Sequence, residues 1–229
     1  MDAARESAIP PPGRRVVEAR SASFSDAEPD RASATPAWSR RASARHTIFA
    51  AGDAAQFIYE TTGAAAMVSR RLPDGRRQII DIVGPGRLFG FAPDRRHDCT
   101  AQALAPCVIY AYDRATIRSD PATAARASAA ALDEIRRLRD LVAMLGRKTA
   151  MERVASFFAA LLPERSALSA TIVVPISRGE MANYLGLTIE TASRNVVRLK
   201  RASILGEETH DEMTVLDAAR LRALALGES

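Results

Sequence analysis

Residues 177–201 read SRGEMANYLGLTIETASRNVVRLKR, and few arrangements of chain satisfy that stretch. Ser177 and Glu180 stand three apart, the spacing of a capping box in which Ser is the N-cap and Glu is N3. A short helix follows, with Met181, Ala182 and Leu185 facing inward. Gly186 supplies the left-handed residue that ends it, and Thr188 caps a second helix running to about Arg201. Two short helices joined by a glycine-containing turn of about 3–4 residues make a helix-turn-helix.

The second helix divides by face. Ile189, Ala192, Val196 and Leu199 are spaced 3-4-3 and form the expected buried stripe. Glu190, Ser193 and Arg194 fall on another side. A helix lying in the major groove needs an acceptor for cytosine N4, a forked donor for guanine O6/N7 and a small polar group for a neighbouring base. Glu190, Arg194 and Ser193 supply those chemistries from adjacent positions. Ser177, Arg178, Thr188, Thr191, Arg198, Lys200 and Arg201 are the expected backbone contacts and supports. The competing reading is a solvated face with an internal i, i+4 Glu–Arg pair. A lone helix would favour that reading; a capped helix and a glycine turn ahead of it favour groove readout. Downstream, ILGEETHDEMTVLD reads as strand, turn, strand, a small wing, before a helix capped by Asp217. Glu207, Glu208, Asp211 and Glu212 make the wing tip acidic, a poor grip on phosphate.

Upstream, Gly52, Gly63, Gly75 and Gly86 are spaced 11, 12 and 11 residues apart, with strand-like runs between them. Turn residues at that interval predict an antiparallel barrel or sandwich over 45–117. Pro73-Asp74-Gly75 is a hairpin turn, and Ala105-Pro106 is read as another. A long helix is expected over 120–147. Its residues Ala131, Ile135, Leu138, Val142 and Leu145 follow 4-3-4-3 spacing, a short seam suited to pairing two copies of the chain; packing on its own domain is the alternative. A further helix, about Ala150–Leu162, is closed by Pro163, and 148–229 form the third region. Residues 1–44 carry five prolines and no apolar periodicity, the marks of a disordered arm.

Composition narrows the function classes. The 229 residues carry 32 basic and 27 acidic side chains, a net +5 that suits an anionic partner but equally a soluble protein with a basic bias. Two cysteines argue against a disulfide framework and for a reducing compartment. No apolar run nears the ~18 residues of a membrane span, and the acidic residues of the arm exclude a transit peptide. A cytoplasmic location is expected.

MANYLGLTIETASR (181–194) resembles the DNA-reading region of the CRP/FNR transcription regulators, in particular the FNR and FixK branch with its E-x-x-S-R order. DGRRQIIDIVGPGRLFGF (74–91) resembles the end of that family's β-roll. The resemblance implies an α+β fold: an N-terminal antiparallel β-roll of the cupin-like, cyclic-nucleotide-binding type, a long dimerisation helix and a C-terminal winged helix-turn-helix. It implies a homodimeric regulator, an activator rather than an enzyme, that reads double-stranded DNA at an inverted repeat similar to TTGAT-N4-ATCAA. It also implies contact with RNA polymerase and a regulon of the oxygen-limitation or nitrogen-fixation kind. Ile135, Leu138, Val142 and Leu145 would form the dimer interface.

Departures from the family pattern bear on the signal. Oxygen sensors of the family hold an iron–sulfur cluster on four cysteines; this chain has only Cys99 and Cys107. Cyclic-AMP sensors carry a Glu just after the Phe-Gly of the roll and an Arg-Ser pair further on. Here Phe91-Ala92 follows Phe89-Gly90, and His97-Asp98 stands near the Arg-Ser place, where a carboxylate repels a cyclic phosphate. No cofactor, metal or cyclic nucleotide is therefore expected. The alternative is gating through Cys99 and Cys107 or another effector. With Ala105-Pro106 as a turn, Cys99 lies five residues along from the partner of Cys107, ~17 Å away, too far for a disulfide. His97, Asp98 and Cys99 as a catalytic set fail because adjacent strand residues point to opposite faces.

Overall fold

The computed structural model describes residues 35–163, 169–209 and 211–228; of the arm expected over residues 1–44, residues 1–34 lie outside them. The first strand, β1 (Trp38–Ala42), falls within the segment expected to be arm. Trp38 stacks edge-on against Phe57 and Tyr59, which supplies the apolar reason for order there.

The strands that follow are β2 (Thr47–Phe49), β3 (Phe57–Thr62), β4 (Ala66–Arg71), β5 (Arg77–Val83), β6 (Leu88–Phe89), β7 (Thr100–Ala103) and β8 (Cys107–Asp113). They form two four-stranded antiparallel sheets, ordered β1-β8-β3-β6 and β2-β7-β4-β5. Alternation places Cys107, Ile109 and Ala111 of β8 and Ala101 and Ala103 of β7 in one core. They share that core with the rings of Phe49, Tyr59 and Phe89, so mostly small strand residues leave room for the aromatic side chains. Pro73-Asp74-Gly75 makes the β4–β5 hairpin, with Gly75 at φ +83°. Ala105-Pro106 does not make one. β7 pairs with β2 and β4, whereas β8 pairs with β1 and β3, so that turn crosses between sheets.

Asp113 caps α1 (Arg114–Ser119), and Asp120 caps α2 (Pro121–Arg147), accepting from the Thr123 amide at 3.0 Å. Pro121 is preset for the first helical turn. α2 is about 40 Å long at ~1.5 Å per residue. Its inward face is Thr123, Ala127, Leu141 and Met144. Two ion pairs fasten it to the roll. Arg126 meets the fully buried Glu60 at 3.0 Å, and Arg137 meets the buried Asp81 at 2.9 Å. Ile135 and Val142 of the expected seam are exposed, joined by Leu132, which lies one turn away at spacing 3-4-3 with Arg139. Leu138 is half-buried. Leu145 departs from the seam: it packs against the core of its own C-terminal module.

The C-terminal module comprises α3 (Ala150–Ala160), β9 (Ala170–Val173), α4 (Arg178–Tyr184), α5 (Ile189–Arg201), β10 (Leu205–Glu208), β11 (Glu212–Val215) and α6 (Ala218–Leu226). Its sheet is ordered β10-β11-β9. Phe157, Phe158, Met181, Leu185, Leu199 and Leu221 build its core.

Glu134 on α2 provides a pH test of the packing between helix and roll. Burial pushes its carboxyl up to about 7; Asp81 and Asp98 add to the shift and Arg137 opposes it. Between the ordinary value of 4.5 and about 7 the folded chain binds more protons than the unfolded chain, so stability falls as pH rises through that window. Glu134→Gln is expected to gain in melting temperature over the parent near pH 8 and to lose that gain near pH 5. Thermal melts at both pH values check it; an equal difference at each would refute the assignment.

Candidate nucleic-acid interface

The entry to α4 is doubly fixed. Glu180 N–H donates to Ser177 Oγ at 3.3 Å, and Ser177 N–H donates back to Glu180 Oε2 at 2.9 Å. Glu180 also accepts the Arg45 guanidinium on both oxygens, which ties the helix to the β1–β2 loop of the roll. Burial pushes the Glu180 carboxyl up, but hydrogen bonds from Arg45 and Ser177 outweigh it and hold the group below its usual range.

At the other end of α4, the Asn183 side chain behaves as a piece of strand. Its Oδ1 accepts from Ile79 N–H at 2.6 Å and its Nδ2 donates to Arg77 C=O at 2.7 Å. Gln78 Nε2 donates to Asn183 C=O at 2.8 Å. β5 is a sheet edge, and Asn183 satisfies its open groups. The module is thus seated on the roll through side-chain amides, a contact with no sequence signature because 104 residues separate the partners.

Gly186 ends α4 at φ +63°, and Leu187 N–H returns to Ala182 C=O at 2.9 Å. A Cβ there would meet Leu145 Cδ2 at 3.3 Å and Arg153 Nη1 at 3.5 Å, so glycine answers both the conformation and the crowding. Arg153 of α3 donates to Leu185 C=O at 3.1 Å and Leu145 C=O at 2.7 Å, joining the ends of α4 and α2. Thr188 Oγ1 accepts from Thr191 N–H at 3.2 Å and caps α5. The Thr188 hydroxyl also donates to Thr191 Oγ1 at 3.1 Å.

α5 buries Ala192, Asn195, Val196 and Leu199. The expected stripe is corrected at its first position: Ile189 is 54% exposed. It stands in the first turn, beside Gly179 of α4, which has no side chain to cover it. Asn195 takes the inward place by donating Nδ2 to Thr191 C=O at 2.9 Å.

Glu190 and Arg194 are exposed, and Ser193 is half-buried beside them. Hydrogen bonds from its own backbone N–H and from Thr188, then the charge of Arg194, hold the Glu190 carboxyl below its usual range. It is therefore an ionised acceptor at neutral pH. Among the described residues Arg194, Arg198 and Arg201 have no ion-pair partner and project as free donors. Arg178 and Lys200 differ: both are held by the wing residue Glu208, Lys200 Nζ at 2.6 Å from Oε2 and Arg178 on Oε1. Val197 is 44% exposed at i+7 from Glu190 and i+3 from Arg194, on the same ridge. The sequence pattern held that signal, since a wheel drawn through Glu190 reaches Val197.

In the roll, Cys99, one residue before β7, and Cys107, at the start of β8, are free and buried, and burial raises both thiols, Cys99 to about 12. His97 stacks on Phe49 with ring centroids 3.8 Å apart, its two ring nitrogens without partners among the described residues. No group of three or more metal-ligating side chains converges among the described residues. No helix among them is long and apolar enough to cross a membrane.

A capped helix-turn-helix with a winged hairpin, seated on a β-roll through a long helix, defines a DNA-binding transcription regulator. Residues 152–224 match the Crp-like helix-turn-helix domain, and residues 39–119 match the cyclic nucleotide-binding domain. The chain is 34% identical over 190 residues to the nitrogen fixation regulation protein FixK of Bradyrhizobium diazoefficiens, covering 80% of each chain. It is 33% identical to the transcriptional activator protein FnrL of Cereibacter sphaeroides, covering 78% of this chain and 76% of that one. The structure of FixK2 from Bradyrhizobium japonicum superposes with a TM-score of 0.74 at 29% identity, covering 82% of this chain and 96% of that one. The chain belongs to the CRP/FNR family and is FixK-like within it. Such relatives are named as transcription regulators, not enzymes.

Proposed function

We propose that two copies of this chain pair through the exposed stripe of α2 and read an inverted repeat similar to TTGAT-N4-ATCAA, as a cytoplasmic activator that contacts RNA polymerase. Glu190 accepts from cytosine N4, Arg194 forks onto guanine O6/N7, and Ser193 meets a neighbouring base. Arg198 and Arg201 reach phosphate; Ser177, Thr188 and Thr191 hold the two helices in place. The observation that carries this reading is the exposed Glu190–Arg194 ridge on a helix whose cap and inner face are satisfied within the module. The names of the relatives, a nitrogen fixation regulation protein and a transcriptional activator protein, support activation and a regulon of the nitrogen-fixation kind.

The roll works without a cyclic nucleotide or metal. Phe49, Tyr59, Phe89 and His97 fill its interior with stacked rings. Cys99 and Cys107 are poor redox sensors, because the thiolate is the reactive form and burial disfavours it.

Selection from random duplex DNA is expected to enrich a palindrome, and recovery of unpaired or random sequences would refute the reading. Arg194→Ala should weaken binding to the selected site by about 1–3 kcal/mol and relax preference at one guanine. Equal affinity of variant and parent across all single-base changes would remove Arg194 from base readout.

A further inference from the structure

Glu208 closes the end of β10 beside the recognition helix. Its two carboxylate oxygens take two different cations from two other elements: Oε1 takes Arg178, the first residue of α4, and Oε2 takes Lys200, near the end of α5, at 2.6 Å. The three side chains are about one-quarter to one-third exposed, 24%, 33% and 36% for Arg178, Lys200 and Glu208. The wing hairpin holds Glu208 in place, with Thr209 N–H donating to Glu212 C=O at 3.0 Å just beyond it. One anion with two oxygens, each serving a separate cation, is the arrangement a DNA phosphate would offer to the same pair.

We infer that Glu208 is a specificity-determining residue, an internal stand-in for phosphate that occupies Arg178 and Lys200 and so holds down sequence-blind attraction to DNA. This rests on the DNA-reading assignment above and adds to it. Phosphate contacts supply essentially all non-specific affinity. With Glu208 in place, a random duplex gains Arg178 and Lys200 only by displacing it. On a cognate site the base contacts of Glu190 and Arg194 fix the register of α5 and hold Arg178 and Lys200 off the phosphates, so no displacement of Glu208 is needed there. On random DNA no base contact sets the register, charge alone places the chain, and Glu208 withholds the two cations that would otherwise grip phosphate. The acid therefore widens the gap between cognate and random sequence by penalising the latter.

The test compares the full chain with Glu208→Gln and Glu207→Gln, by fluorescence anisotropy on a labelled random duplex and on the selected palindrome, over roughly 50–300 mM salt. Both substitutions raise the net charge by one. Only the first frees Arg178 and Lys200, because Glu207 holds no ion pair among the described residues. Glu208→Gln is expected to tighten random-duplex binding about tenfold and to steepen the log–log salt slope by about one to two, at ~0.9 per phosphate contact. The gain on the palindrome is expected to be about threefold or less, and Glu207→Gln to shift random binding by less than about twofold. Adding Lys200→Gln to Glu208→Gln should remove much of the gain. Equal effects of the two glutamine variants would reduce Glu208 to bulk charge and overturn the inference. So would equal gains on both duplexes, or no gain on either. The random-duplex arm needs no operator, so it reads Glu208 even where no palindrome is enriched.

Discussion

Val142→Glu is expected to convert the chain from dimer to monomer and to weaken operator binding about 100-fold or more. Val142 is 71% exposed, so in a single chain the substitution buries no charge and opens no cavity. Glutamate is also the better helix former of the two, so the folded monomer loses nothing. Across a twofold seam the outcome differs. Two carboxylates would face each other where two apolar side chains met, and desolvating them is costly. Loss of pairing removes the effective concentration that links two half-site contacts, typically worth 10²–10⁴ in affinity. Ile135→Glu, at a position 43% exposed, should act alike. Leu138 is a poorer probe because it is half-buried in its own chain. Sedimentation velocity reads the assembly and anisotropy reads the DNA. An unchanged sedimentation coefficient in both variants would refute α2 as the pairing element.

Arg137→Met is expected to cost about 3–5 kcal/mol near pH 8, the cost of breaking a buried ion pair from one side. The Arg137 guanidinium donates Nε and Nη2 to Asp81 at 3.1 and 2.9 Å and Nη1 to Asp133 at 2.6 Å. Asp81 is 6% exposed on the strand that carries the docked Asn183. Methionine keeps the apolar stem of the side chain and removes only the charge, leaving Asp81 beside Glu134 with no cation. The melting temperature should fall on the order of 10 °C. Arg137→Met with Asp81→Leu should recover most of the loss, since two apolar groups replace a complete pair at little cost. A single variant as stable as the parent at pH 8 would show that water, not Arg137, satisfies Asp81.

Much of the fold was legible because its signals are local. The capping box at Ser177–Glu180, the glycine at 186, the cap at Thr188 and the hairpin at Pro73–Gly75 each state a backbone conformation within about four residues. All four stand in the structure as read. The misread positions depend on distant partners. Ala105-Pro106 has the composition of a hairpin turn, yet it links strands of opposite sheets, because strand order is decided by which faces find a common core. Ile189 has the phase of a buried residue, yet it lies in the first turn of α5 and stays 54% exposed, with the side-chain-free Gly179 of α4 beside it. Leu145 follows the seam spacing, yet the helix-turn-helix folds back beneath it.

The candidate site divides the same way. Glu190, Ser193 and Arg194 were readable from helical phase alone, because 3.6 residues per turn fixes which side chains share a face. That Arg178 and Lys200 are engaged by Glu208 was not readable, since the wing returns to them only in three dimensions. The sequence by itself determined the conformations of the turns, the caps and the polar ridge of α5, all governed by short-range sterics and hydrogen bonding. Only the tertiary structure decided which charges are neutralised, which apolar residues stay in water and how the module sits on the roll. Those outcomes rest on Coulomb and packing contacts between residues up to 135 positions apart, which no local pattern encodes.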